Sequence, residues 1–340
     1  MSIRFAINGL GRVGRALLRV ARRYPQLELV AVNDLAPADQ LVRLIARDTV
    51  HGRFDGQLAA EPGALIVDGR RIPVLRAATP EQIPWSGPAP RIVVEATGAF
   101  RGGGPARGHL RGPVHKVVLA WNPEEEGEQV DVCLCLGINQ ASYDPLRHHV
   151  ISNSSCTTNC IAPVVAVLHR AYGVRHGLIN TVHGYTNNQT LLDTAHPEPR
   201  RARAAAVNMI PVATRAARAL SSVLPELAGR LDGVGVRVPV ADGALLDLVV
   251  ELERPAEVEE VRQLFRAAAA GELAGILAVC EEELVSSDFI GDPHSAVVDL
   301  PLVQAIDRHM LRVIAWYDNE WGYANRLAEL LLLIGSHPEA

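Results

Sequence analysis

The chain has 340 residues, 33 Lys plus Arg against 38 Asp plus Glu (formal charge −5), and 48 % hydrophobic residues. That length suits two domains of about 150 residues, and the balance excludes a disordered chain. A slightly acidic chain without a basic block argues against nucleic-acid or membrane partners, no run approaches the ~20 apolar residues of a membrane helix, and a cytoplasmic setting is expected.

The predicted elements begin with a short apolar strand, Ile3 to Asn8. An amphipathic helix follows over Arg12 to Arg23, with Val13, Ala16, Leu17 and Val20 on one face. A second strand covers Leu27 to Asn33 and a second helix Ala38 to Ala46. Further strands are expected at Ile92–Glu95, Val114–Ala120 and Val132–Leu136. Strands alternating with crossover helices specify a doubly wound parallel sheet. After residue 155 the pattern changes. A helix over Ile161–Ala171 precedes longer runs suited to antiparallel strands: Arg175–His183, Leu231–Val240, Ala244–Leu252, Val297–Leu300 and Leu311–Tyr317. Gly184 to Arg203 is long, polar and Arg-rich, the mark of a functional or interface loop. A leucine-rich helix, Trp321 to Ile334, closes the pattern.

Lys116 is the only lysine and follows no glycine loop, which disfavours Schiff-base and P-loop chemistry. The five cysteines form no C-x-x-C, so neither a disulfide framework nor a metal site is expected. Gly9-Leu10-Gly11-Arg12-Val13-Gly14 fits G-x-G-x-x-G between a strand and a helix, and Asp34 ends the next strand 20 residues past Gly14. Gly9 permits the tight turn, Gly11 lets a pyrophosphate approach the backbone, and Gly14 lets the helix lie close to the strand. Asp34 would accept from a ribose hydroxyl and repel a 2′-phosphate, favouring NAD, with NADP a second choice.

Ser154-Ser155-Cys156-Thr157-Thr158-Asn159-Cys160 offers helix-capping serines before an apolar helical pattern. Cys156 then lies in the first turn, where unpaired N–H groups favour a thiolate. Cys160, one turn on, reads as core. Pro163 falls inside the same helix and must kink it or remove a hydrogen bond. Of twelve histidines, His183 is the best base for Cys156, because it ends an apolar strand and polar residues follow; His51 is a further candidate. Arg237, within Val236-Arg237-Val238, calls for an anionic partner, either a structural carboxylate or a phosphate or carboxylate ligand.

These stretches, with Arg200 to Ala205 and Trp316-Tyr317-Asp318-Asn319-Glu320-Trp321-Gly322-Tyr323, resemble the phosphorylating glyceraldehyde-3-phosphate dehydrogenase family over nearly the whole chain. The resemblance implies a Rossmann-type doubly wound α/β domain over residues 1–155, completed by a C-terminal helix 319–340. An α+β catalytic and oligomerisation domain with a mostly antiparallel sheet would cover 156–318. It implies NAD held by Gly9, Gly11, Arg12, Val13, Gly14, Asp34, Thr97 and Asn319. Cys156 would attack the aldehyde, His183 would take the hydroxyl proton, and inorganic phosphate would cleave the thioester. Thr186 and Arg237 would hold the phosphate of the phosphorylated aldehyde; Ser155, Thr157 and Thr214 the attacking phosphate, with Arg215 a further candidate. A homotetramer is implied, with the Gly184–Arg203 loop at an interface.

Three departures stand out. Pro211-Val212-Ala213-Thr214-Arg215 replaces a hydroxyl-rich loop ending in glycine. The related erythrose-4-phosphate dehydrogenases, which release the acid, carry a basic residue there and are the first alternative. Trp121 stands where the family has a small residue, and Ala195 where strictly NAD-dependent members have proline. Arg215 and Trp121 together raise a second alternative, an NAD-binding homologue with impaired chemistry.

Overall fold

The computed structural model describes residues 2–100, 103–122, 130–214 and 216–337. They fall into two units. The first comprises residues 1–134, 140–154 and 323–340, the second 135–139 and 155–322.

The first unit opens with β1 (Ile3–Asn8), α1 (Arg12–Ala21), β2 (Leu27–Asn33) and α2 (Ala38–Ala46). β3 (Arg47–Asp48) and β4 (Gly52–Arg53) make a short ribbon. β5 (Leu58–Glu61), β6 (Ala64–Val67) and β7 (Arg70–Leu75) form an antiparallel meander that the sequence reading missed. Its short strands are exposed on one side and lack a long apolar run. β8 (Ile92–Glu95), α3 (Gly103–Ala106), β9 (Lys116–Leu119), β10 (Val132–Cys133) and β11 (Val150–Ser152) follow. The sheet order is β10-β11-β9-β8-β1-β2-β7-β6-β5. From β10 to β7 all neighbours are parallel. The chain winds outward from β1 through β2, then from β8 through β9 on the other side. That reversal opens a crevice at the carboxyl ends of β1 and β8. β1 pays for its central place with four successive buried residues, Phe5 to Asn8, as a strand covered on both faces must.

The polar ends of these strands are tied together. Asn33 Nδ2 donates to Asn8 Oδ1 at 2.7 Å, and Asn8 in turn donates to the fully buried Glu95. His109 lies 2.9 Å from the same carboxylate and receives the Trp85 indole N–H at 3.2 Å. Trp121 packs onto the cluster of Trp85, Val93, Val117 and Leu119 on one face of this sheet. Its backbone carbonyl accepts from Ser152 Oγ at 2.7 Å.

The second unit holds α4 (Cys156–Tyr172), β12 (Val174–Gly184), β13 (Ile210–Ala213), α5 (Ala216–Leu220), β14 (Leu231–Val238) and β15 (Ala244–Leu252). It continues with α6 (Val258–Ala270), β16 (Leu277–Cys280), β17 (Ala296–Asp299), β18 (Gln304–Ile306) and β19 (Met310–Tyr317). α7 (Trp321–Gly335) begins there and runs into the first unit. The sheet order is β13-β14-β12-β15-β19-β17-β16, with β18 also on β19. Most joins are antiparallel, as expected, while β12–β14 and β16–β17 are parallel. The connection from β12 to β14 is long enough for a crossover, so strand patterning alone did not fix the direction.

α4 is a single helix through Pro163. A proline there cannot donate to the Asn159 carbonyl, yet every residue from Thr158 to Leu168 is buried. Packing on all sides holds the helix together despite the missing bond. No helix among the described residues is long and apolar enough to cross a membrane.

Candidate active site

In the first unit the glycine loop is built as its sequence requires. Gly9 has φ +94°, and a Cβ there would stand 2.8 Å from the Thr97 backbone. A Cβ on Gly14 would meet the Gly9 carbonyl at 2.0 Å, so the helix seats directly on the loop. Beside Gly11, by contrast, there is open space, the room a pyrophosphate needs. Asp34 Oδ2 accepts the Leu10 N–H at 2.8 Å and Oδ1 that of Ala36 at 2.9 Å, which ties β2 to the loop. Arg12, next to Val13 in the first turn of α1, pairs with Asp48. Burial raises the Asp48 carboxyl, but the His51 N–H and the Arg12 guanidinium outweigh it and hold Asp48 well below the usual carboxylate range. Thr97 gives both its N–H (2.9 Å) and its hydroxyl (2.5 Å) to Glu95 Oε1. Its position is thereby fixed by the buried Glu95–His109 pair.

This geometry separates two glycine substitutions. Gly14→Ala is expected to lose about 1–3 kcal/mol of stability through overpacking. Gly11→Ala should leave stability within about 0.5 kcal/mol while weakening dinucleotide binding at least tenfold. Urea unfolding and dinucleotide titration of the two variants check both.

The backbone enters α4 of the second unit from Ser154, the last residue of 140–154 and a non-glycine residue at φ +54°. Such conformations cost of order 1–3 kcal/mol and gather at functional sites. Ser155 is the N-cap: its Oγ accepts the Thr158 N–H at 3.0 Å. Cys156 therefore opens the helix, and its Sγ lies 3.7 Å from His183 Nε2. His183 is buried near the end of β12, and the parallel register sets Arg237 of β14 directly beside it. Arg237 Nη1 stands 2.7 Å from His183 Nδ1 and donates to the Gly184 carbonyl at 3.0 Å. The Tyr317 ring meets the imidazole edge-on at 6.0 Å, and its hydroxyl lies 3.1 Å from Thr157 Oγ1.

Burial pushes the Cys156 thiol up, and Arg237 with the Thr157 hydroxyl and N–H pulls it back only in part. At the start of α4, desolvation and the local positive charge thus act on Cys156 in opposite directions. Burial, then the charge of Arg237, press His183 down to about 3, so its ring is neutral. Arg237 pairs with no carboxylate among the described residues, which removes the structural ion pair weighed above. The like charge of Arg201 acts on it. Arg201 has a side chain only 12 % exposed and a buried Nη1 without a partner. Arg201 pairs through Nε with Glu198 at 2.8 Å, so it is the Arg237 guanidinium, with the Arg201 Nη1 beside that pair, that suits an anion. Sequence reading had quoted Arg201 only inside an Arg-rich segment; that density of arginine was the one available signal.

The remaining positions are more scattered. Thr186 Oγ1 donates to Asn188 Oδ1 at 2.5 Å, just past β12. Thr214 Oγ1 accepts the Ala216 N–H at 3.2 Å, and Arg215 lies outside the described residues. Asp318 accepts the N–H groups of Gly291, Glu320 and Trp321, capping α7 and fixing Asn319. Asn319 is buried with its Oδ1 unpartnered, an acceptor available to a carboxamide N–H. Cys160 is fully buried, as expected of a core thiol, and burial raises its pKa well above the usual value. Asp242, which sequence reading passed over, is pushed up to about 9 by burial and by Asp318 and Glu320.

A doubly wound nucleotide fold joined to a unit bearing a thiol, an imidazole and a guanidinium group without a carboxylate among the described residues is the make-up of a cysteine-dependent dehydrogenase. Residues 3–103 match the family model described as glyceraldehyde 3-phosphate dehydrogenase, NAD binding domain, and residues 155–319 the C-terminal domain of the same family. Glyceraldehyde-3-phosphate dehydrogenase of Geobacillus stearothermophilus is 45 % identical over 336 residues, 99 % of each chain. Glyceraldehyde-3-phosphate dehydrogenase 1 of Bacillus cereus is 45 % identical over 327 residues, covering 96 % of this chain and 97 % of that protein. Glyceraldehyde-3-phosphate dehydrogenase 2 of Streptomyces arenae is 46 % identical over 337 residues, again 99 % of each. The chain belongs to the glyceraldehyde-3-phosphate dehydrogenase family.

Proposed function

We propose that this protein oxidises glyceraldehyde 3-phosphate to the acyl phosphate, with NAD as hydride acceptor and inorganic phosphate as co-substrate. The observation that carries the reading is the Cys156–His183 contact beside an arginine with no carboxylate partner among the described residues. The bound cofactor supplies a two-electron acceptor. The residues of this chain do the rest. Cys156 Sγ bonds to the aldehyde carbon as the carbonyl opens to a hydroxyl. His183 Nε2 takes the hydroxyl proton while the carbon loses its hydrogen as hydride, re-forming the carbonyl as a thioester. An oxygen of inorganic phosphate then bonds to that carbon, and the carbon–sulfur bond breaks to free the thiolate. The Cys156 N–H, at the start of α4, is placed to steady the oxyanion.

Arg237 and Thr186 hold the substrate phosphate, with Arg201 adding charge. Thr157 and Thr214 serve the attacking phosphate; Ser155 contributes chiefly by capping α4. The cofactor lies on the first unit, where the space beside Gly11 and the Asp34 carboxylate at the loop suit NAD; in the second unit the unpartnered Asn319 oxygen suits its carboxamide. Exposed apolar side chains on the segment after β12, among them Leu191 (79 %) and Met209 (75 %), support a homotetramer burying them between copies. Five free thiols fit a cytoplasmic setting.

The test is NADH formation from glyceraldehyde 3-phosphate or erythrose 4-phosphate, with and without phosphate. A phosphate requirement and preference for the three-carbon aldehyde are expected. Phosphate-independent turnover favouring the four-carbon sugar would overturn the reading. A second measurement concerns cofactor choice. Asp34→Ala should cut the NAD-over-NADP ratio of kcat/KM at least tenfold, because the carboxylate that repels a 2′-phosphate is gone.

A further inference from the structure

We propose that the buried carboxylate of Glu95 sets the redox preference of the nucleotide site, attracting the positively charged ring of oxidised NAD and holding the neutral, reduced ring less tightly. This rests on the function proposed above and gives Glu95 a part in choosing which form of the cofactor stays bound.

Hydrogen-bond directions alone fix the charge. The Ala77 backbone N–H donates to Asn33 Oδ1 at 2.9 Å, so Asn33 must turn its Nδ2 to Asn8 Oδ1, and Asn8 its Nδ2 to Glu95 Oε2. From the other side an indole only donates, so His109 Nδ1 accepts from Trp85 and holds no proton. The one proton of that imidazole sits on Nε2 and points at Glu95 Oε2, 2.9 Å away. Thr97 gives its N–H to Oε1, together with the proton of a hydroxyl whose oxygen accepts the Ala99 N–H at 3.1 Å. Four donors thus converge on two oxygens. A proton on Oε2 would face two of them, and one on Oε1 would leave the Thr97 hydroxyl proton without an acceptor among the described residues. Glu95 is therefore ionised and His109 neutral. No arginine or lysine among the described residues pairs with this fully buried carboxylate.

A charge without a counter-ion is costly in a low-dielectric interior, and its field reaches further there than in water. Its place decides what it acts on. Glu95 ends β8, opposite Asn8 in register, at the crevice where the strand order reverses. A dinucleotide spans such a crevice with one half on each side. With Asp34, just past β2, taking the adenosine ribose, the nicotinamide half falls on the β8 side. Glu95 also holds Thr97, whose backbone abuts Gly9. The pyrophosphate carries the same charge in both cofactor forms, so its repulsion from Glu95 falls on both alike. Only the ring differs, a cation when oxidised and neutral once it has accepted hydride. The carboxylate favours NAD before the reaction and loosens the reduced cofactor after it.

Calorimetric titration of the whole protein with NAD and with NADH tests this in the wild type, Glu95→Gln and His109→Gln. Removing the charge in Glu95→Gln should raise the ratio of the NAD Kd to the NADH Kd at least fivefold. His109→Gln disturbs the same network but keeps the carboxylate, and its ratio should stay within twofold of the wild type. An unmoved ratio in Glu95→Gln, or an equal rise in His109→Gln, overturns the proposal. Neutron diffraction from deuterated wild-type crystals reads the protons directly, whether or not either variant folds. Deuterium on His109 Nε2 alone and none on Glu95 is expected; a protonated carboxyl or an imidazolium at His109 overturns the proposal. Should the wild type bind neither NAD nor NADH, the function reading itself fails, whereas binding of both with an unmoved ratio in Glu95→Gln sinks this inference alone.

Discussion

Cys156→Ser is expected to lower kcat by at least about 10³-fold, since a serine hydroxyl in this place has no comparable nucleophilicity and the residual rate comes from binding alone. The substitution changes one atom at the first position of α4 and leaves the Ser155 cap intact, so folding should be preserved. NAD binding on the first unit should persist. Iodoacetamide should modify one thiol rapidly in the wild type and none in the variant, because Cys135, Cys160 and Cys280 are buried and burial pushes the half-buried Cys133 thiol up to about 11. Mass spectrometry of the alkylated protein, with single-turnover NADH formation, checks both statements. Retention of a full NADH burst in Cys156→Ser would remove the thiol from the reaction.

His183→Asn should slow the oxidation step by about 10²–10⁴-fold, the usual contribution of a positioned base. Its signature against pH in stability is as informative as its kinetics. The folded protein holds His183 near 3, below the ordinary 6.5, because burial and Arg237 disfavour the charged ring. Between those values the unfolded chain binds a proton that the folded chain does not, so stability falls as pH drops from 6.5 toward 3. The slope for this group is about 1.4 kcal/mol per pH unit. From pH 7.5 to 5.0 the wild type should therefore lose roughly 2 kcal/mol more than His183→Asn. Urea unfolding of both proteins at the two pH values measures this, and parallel losses would mean that the ring is not held neutral by its surroundings.

Much of the first unit was legible because its determinants are local. The bounds of β2, α2 and β8 follow directly from the residues 27–33, 38–46 and 92–95. The glycines at 9, 11 and 14 each have a backbone reason visible within a few residues, and the structure gives each one its expected surroundings. The same holds for the start of α4, where Ser155 caps and Cys156 follows. The β5–β7 meander escaped notice because its pairing depends on exposed, short segments with little periodicity of their own.

By itself, then, the sequence determined the nucleotide loop, the capped thiol and the alternation that builds the first sheet, all properties of short windows. Only the tertiary structure brought His183, already the favoured histidine, to 3.7 Å from Cys156, set Arg237 beside it through a parallel β12–β14 register, and left that arginine without a carboxylate among the described residues. It also lodged the Trp121 ring on the Trp85 cluster, a placement the bulk of the residue could not reveal. The physical reason is the same in each case. Desolvation and charge pairing depend on groups brought together across tens of residues, and those terms decide protonation where local propensity has nothing to say.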